Sequence, residues 1–316
     1  MITFLVSAIR LGMALLFGST GETISEKAGN LNLGIPGVMC VGAACGCLAE
    51  SIYYTSVNGK LVPFMAVLIP IVATFIGGAV MGLIYSFLTV TLRSNQNVTG
   101  LVLTIFGVGV SEYMVSDLKV YTYSKASKFF IKSLPFADDL GAFGKLFFSY
   151  GIMIYLAIAV AIAASLILNK TRLGLHLRAV GESPATADAA GINISAYKYG
   201  ATCVGCGIAS LGGLTFIMDY LNGNWEYVID SIGWLCVALV IFTVWKPSFG
   251  ILCSIIFGAF YVASSYIPGI GLAEKELFKM LPYLVTTVVL IFTSIRDKKE
   301  SQPPASLGLP YFREER

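Results

Sequence analysis

The sequence predicts an all-α bundle that crosses a membrane about nine times, a reading that rests on composition, on run length and on where charge is missing. Of its 316 residues, 56% are hydrophobic and only 12% charged, and the mean hydropathy is +0.80. A soluble domain of this length would carry roughly twice that share of charge. Uncharged runs recur that can cross roughly 30 Å of hydrocarbon, which takes about 20 residues of helix.

The first run, residues 2–21, holds Arg10 but has no basic stretch ahead of it and no convincing small-residue cleavage site. It is therefore expected to stay in the membrane as a helix rather than leave as a signal peptide. Runs follow near 31–50, 62–91, 97–116, 147–169, 197–219, 231–245, 249–268 and 279–295. The third is too long for one upright helix, so it tilts or includes an interfacial piece. Residues 1–295 are expected to form one transmembrane domain. The tail, residues 296–316, is polar and proline-containing and is expected to be flexible and cytoplasmic.

The second run opens on Ala28–Gly29–Asn30–Leu31–Asn32–Leu33–Gly34–Ile35–Pro36–Gly37. Its glycines, asparagines and proline interrupt a helix. Two readings stay open: a break at membrane depth that presents backbone dipoles and amides to a solute, or a cytoplasmic turn ahead of a helix starting at Pro36. A similarly polar stretch, Ser94–Gly100, opens the fourth run.

Residues 171–191 are polar and charged between two runs without charge, Phe147–Leu168 and Tyr199–Met218. After Ser183, Pro184 starts an alanine-rich stretch that Gly191 closes. A serine cap, a proline at the first helical position and a glycine past the end specify both ends of a short helix.

Parity along the spans places this segment, Lys27, Arg93, Lys246 and the tail on one side, which holds a modest excess of the 21 Lys and Arg residues and reads as cytoplasmic. The dissenting lysines lie in the long loop Asp117–Leu146. Cys203 and Cys206 have redox or metal spacing, but they sit in an apolar small-residue run where cysteine behaves as a small hydrophobe. No metal site is expected. Gly42–Gly46 and Gly77–Gly82 suit close helix–helix approach in lipid. Glu112 and Asp219 fall near the ends of runs and are expected to anchor at the interface; Arg10 has no evident partner. A Walker loop, an HExxH pair and a nucleophile elbow are all missing, so no catalytic residue is assigned and an enzyme is not expected.

At these residues the chain resembles a known family, the membrane-spanning permease subunits of ATP-binding-cassette importers for branched-chain amino acids, ribose and nucleosides, and most of all the nucleoside type. Ser25–Gly37 resembles the family's SERAGVVNIGLEG, and Asn95–Leu101 resembles NQVVSGL. Residues 171–191 resemble TRxGLxLRAVGENPxAADAAGI. Gly233–Trp234 through Val240–Ile241–Phe242, with Trp245–Lys246–Pro247, resembles GWIALALVIFGxWNP. The motifs span most of the chain in the family's order.

The resemblance implies a transport subunit that forms a solute pathway by alternating access. It binds no cofactor itself; ATP is used by a separate ATP-binding subunit. Residues 171–191 would be the cytoplasmic coupling segment, with Arg178, Gly181, Glu182, Pro184, Asp188, Ala189 and Gly191 as its docking residues. The other implied partners are a substrate-binding (lipo)protein, a second, homologous permease subunit and the lipid membrane, with no nucleic acid. The location would be the bacterial plasma membrane. Pro36 stands where nucleoside-type relatives usually carry Glu, and Asn30 and Asn97 stand where they carry small aliphatic residues. An uncharged polar passage lined by Asn30, Asn32, Gly34, Gly37, Asn97 and Trp234 suits a neutral hydrogen-bonding solute, a nucleoside first. Ribose or another sugar is the alternative. An ion-coupled secondary transporter and a non-transporting scaffold are remote ones, because no intramembrane ion-coupling pair is evident and carboxylates look scarce within the spans.

Overall fold

The computed structural model describes residues 2–133, 141–226, 228–267, 269, 271–296 and 302–312, and among these the chain is helical with no strand. Seven helices are long and apolar enough to cross a membrane: α1 (Ile2–Lys27), α2 (Ile35–Ser56), α3 (Pro63–Thr91), α4 (Gln96–Ser116), α8 (Ile152–Lys170), α11 (Ile194–Tyr220) and α13 (Pro247–Tyr266). Short helices α5 (Val120–Ser124), α6 (Ser127–Phe130) and α7 (Gly141–Phe147) lie between α4 and α8. Helices α9 (Arg172–Glu182) and α10 (Pro184–Ala189) join α8 to α11. Two of the expected spans hold shorter helices, α12 (Ile229–Phe242, 14 residues) and α15 (Leu281–Arg296, 16 residues), with α14 (Leu272–Lys279) ahead of the latter.

The helix boundaries follow from local chemistry. Asn95 Oδ1 accepts from Val98 N at 3.1 Å and Asn193 Oδ1 from Ala196 N at 3.0 Å, capping α4 and α11. Prolines stand in the first turn of α2, α3, α10 and α13, where no backbone donor is lost. Both α3 and α11 end in a π-helical turn, Phe87–Thr91 and Phe216–Tyr220. Such turns shift the hydrogen-bond register and release carbonyls for other donors.

Helix α1 is central and packs on α8, α11, α12 and α13, while α2 packs on α3, α4, α11 and α12. Small residues let the backbones meet. A Cβ on Gly21 would lie 2.2 Å from Gly205 O, and one on Gly42 2.2 Å from Ser210 Cβ. The expected small-residue contacts are thus real, and they bring α1, α2 and α3 onto α11.

One end of the bundle gathers the segments that parity assigned together. Lys27, α9, α10, Arg93, Lys246 and the tail share it: Ser306 N donates to Gly181 O at 3.1 Å, and Gly308 N to Gly29 O at 3.2 Å. The tail therefore departs from the flexible segment expected of its composition. Over residues 302–312 it lies against α9, α10 and the α1–α2 connection, because those surfaces offer carbonyls and polar side chains to its backbone. Residues 297–301 and 313–316 of the tail lie outside the described residues.

Candidate functional site

Residues 28–34 form a non-helical connection between α1 and α2, and Ala28, Gly29, Asn30, Asn32 and Gly34 are buried. Its backbone is satisfied by side chains from three helices, α1, α3 and α4. Glu22 Oε1 accepts from Asn32 N at 3.0 Å, Gln96 Oε1 accepts from Leu31 N at 2.7 Å, and Tyr85 Oη donates to Leu31 O at 2.6 Å. Thr104 Oγ1 donates to Leu33 O at 2.9 Å. Irregular backbone is tolerated inside a membrane bundle only on such terms.

The two asparagines hold this connection from inside. Asn32 Oδ1 accepts from Gly34 N at 2.9 Å, a local turn bond, while its Nδ2 lies 3.2 Å from Cys206 Sγ. Asn30 Nδ2 donates to Thr202 Oγ1 at 2.8 Å and to Lys198 O at 3.4 Å. Gly37 seats α2 on α4, since a Cβ there would lie 2.4 Å from Leu103 O. Unmatched polar atoms remain nearby: among the described residues Glu22 Oε2, Asn30 Oδ1 and Thr20 Oγ1 are buried without a hydrogen-bond partner. A buried polar atom without a partner is costly.

Not every expected passage residue joins this cluster. Asn30, Asn32, Gly34 and Gly37 do; Asn97 is exposed, and its neighbour Gln96 turns inward instead. Trp234 is half-buried, and the adjacent Gly233 packs on Pro36, with a built Cβ 2.4 Å from Pro36 Cα.

The sequence pattern assigns no role to Glu22, Glu26 or Glu50 as single residues, and it puts Asp219 at an interface. All four are buried within helices. Helix α1 runs on through the polar string Gly21–Lys27 because the α1–α2 connection and Trp245 supply donors to its carboxylates: Asn32 N donates to Glu22 Oε1 and Trp245 Nε1 to Glu26 Oε2. Asp219 is tied to Arg10 across the bundle at 2.6 Å, which supplies the partner the sequence left unnamed. The scarcity of intramembrane carboxylates is thus corrected. The available signal was the spacing Glu22–Glu26, one helical turn apart and continuous with the first run.

Segment 171–191 folds as two helices. Thr171 Oγ1 accepts from Gly174 N at 3.2 Å to cap α9, which the sequence did not anticipate. Pro184 begins α10, and Gly191 follows it with φ +81°, as the sequence required. Ser183 bonds Thr186 Oγ1 at 2.8 Å rather than a backbone N–H. Arg178, Glu182, Ala189 and Gly191 are exposed, Pro184 and Asp188 half-buried, and Gly181 buried. A Cβ on Gly181 would lie 2.3 Å from Lys27 O, so this glycine presses α9 onto the end of α1.

The family described as branched-chain amino acid transport system / permease component matches residues 4–292. The chain belongs to this family. The permease is 31% identical over 288 residues to the nucleoside ABC transporter permease protein NupC of Lactococcus lactis subsp. cremoris, covering 87% of each chain. It is 28% identical over 313 residues to the guanosine ABC transporter permease protein NupQ of Bacillus subtilis, covering 96% of this chain and 94% of the relative. A putative glucose ABC transporter permease protein, TsgC13 of Haloferax volcanii, is 29% identical over 332 residues, covering 98% and 97%. The resemblance seen in the sequence motifs is therefore a family relationship over nearly the full length.

Proposed function

We propose that the permease forms the membrane pathway of an ATP-driven nucleoside importer. The observation that carries this reading is the full-length similarity to NupC and NupQ, whose names specify nucleoside and guanosine transport. In this reading α12 and α15 complete about nine spans. The exposed residues Arg178, Glu182, Ala189 and Gly191, with Pro184 and Asp188 beside them, meet a separate ATP-binding subunit. Nucleotide-driven closure is passed through α9 to Lys27 and the connection at 28–34, because Gly181 rests directly on the end of α1. Asn30, Asn32, Gly34 and Gly37 border the pathway, with Asn97 and Trp234 nearer its margins. A substrate-binding lipoprotein delivers the solute and a second permease subunit completes the pathway, in the plasma membrane of a bacterium.

A sugar is the second reading, favoured by the similarity to the putative glucose permease TsgC13. Both readings ask for hydroxyl groups facing unmatched buried acceptors such as Asn30 Oδ1 and Glu22 Oε2. The test is ATPase activity of the reconstituted complex with each solute loaded on the binding protein. Stimulation by guanosine or another nucleoside supports the first reading. Stimulation by glucose or ribose alone replaces it with the second.

A further inference from the structure

At the end of the bundle that carries α9 and the tail lies a cavity of about 550 Å³. Lys27 from the end of α1, Arg178 from α9 and Lys246 from the turn before α13 all line it. Arg178 and Lys246 are exposed and Lys27 is half-buried. None of the three makes an ion pair within 4 Å among the described residues. Arg178 and Lys246 repel the Lys27 ammonium, while Glu182 and Glu26 attract it.

The local carboxylates, Glu182 and Glu26, offset this arrangement only in part, two against three cations. Glu182 lines the cavity but is exposed, and its Oε2 accepts from Ala305 N at 3.4 Å. Glu26 is turned to Trp245 Nε1. The Trp245 ring forms part of the wall, with Lys27 Nζ 6.0 Å from its centroid. Lys246 also opens α13, whose N-terminal dipole adds positive potential.

The turn that aims these groups is held in an unusual shape. Val244 and Trp245 have φ +53° and +54°, a conformation that β-branched and bulky residues rarely adopt. Converging like charges and a strained turn are both unfavourable unless something offsets them.

We propose that this cavity binds a phosphate group. Three cationic donors lining one cavity, a guanidinium among them, match phosphate oxygens. The phosphate has two possible sources, an anionic lipid headgroup or a phosphorylated solute in the cytoplasm. The rim includes Leu168 and Leu175, which offer an apolar flank to the tail of a lipid or the body of a solute.

The experiment measures lysine acetylation by mass spectrometry on the full chain in nanodiscs. Phosphatidylcholine discs in chloride are the reference. The arms are the same discs with millimolar inorganic phosphate, and phosphatidylglycerol discs in chloride. Lys170 is the control, exposed at the same end and outside the cavity lining. Lys27 and Lys246 should react about fivefold more slowly in at least one arm, with Lys170 little changed, as expected for a charge-assisted contact. Protection by inorganic phosphate assigns a soluble ligand, and protection in phosphatidylglycerol alone assigns a lipid; each supports the site. Arg178→Gln should reduce the protection at both lysines while leaving the thermal midpoint in place. Equal rates in all three conditions would overturn the proposal. So would protection that appears only when the ATP-binding subunit is added, since the occupant would then be an acidic side chain of that partner.

Discussion

Arg10 Nε donates to Asp219 Oδ1 at 2.6 Å, joining the first half of α1 to the π-helical end of α11. Arg10 Nη2 also donates to the Asp219 backbone carbonyl. The π turn explains why that carbonyl is free. Leu221 N reaches back to Phe216 O and Gly223 N to Ile217 O, so Asp219 O is left without a helical donor. One arginine thus neutralises a buried carboxylate and satisfies a displaced carbonyl.

Breaking this pair from either side leaves a charge inside the bundle. Arg10→Leu or Asp219→Leu should each cost about 3–5 kcal/mol. The double variant should recover most of the loss, because an apolar pair removes both charges together. Thermal unfolding in detergent measures all four proteins; a double variant as unstable as the sum of the singles contradicts the pairing.

Gly181 and Ala189 separate packing from docking. Gly181→Leu forces a side chain against Lys27 O and should destabilise the fold by about 1–3 kcal/mol. Ala189→Trp, on an exposed position, should leave the thermal midpoint within error and reduce capture of the ATP-binding subunit. Paired melting and pull-down assays report the two effects separately.

Asn32→Leu removes the acceptor for Gly34 N and the contact with Cys206. A cost of about 1–3 kcal/mol is expected from the unsatisfied donor. Solute uptake should fall while the ATP-binding subunit still binds. Unchanged uptake rate and specificity would remove Asn32 from the pathway.

Deleting the tail after Gln302 removes the bonds from Ser306 to Gly181, Gly308 to Gly29 and Tyr311 to Asp188. Amide exchange should then rise at 28–34 and 181–188 and stay unchanged in α2 and α13. Exchange unaffected at both segments would mean that the tail does not brace them.

The long helices were legible because a run of uncharged residues has few other ways to satisfy its backbone in lipid. Pro184 and Gly191 bounded α10 for equally local reasons. What stayed hidden depended on distant partners. Residues 22–27 lie beyond the expected first run, and the connection at 28–34 and Trp245 supply the donors for Glu22 and Glu26 that let the helix continue. Asp219 read as interfacial until Arg10 arrives from the other end of the sequence. Gln96 and Asn97 are chemically alike and adjacent, and only the rotation of α4 sends the former inward. The tail has the composition of a flexible segment, and its seat exists because Gly29, Gly181 and Asp188 come together in the fold.

The most direct test of the account is uptake of labelled guanosine, adenosine, uridine, ribose and glucose into proteoliposomes. These contain the permease, its partner subunits and binding protein, with ATP on the cytoplasmic side. Nucleoside uptake that requires ATP is the predicted result. Nucleoside uptake by this chain alone under an ion gradient, or no nucleoside uptake by the complete assembly, would contradict it.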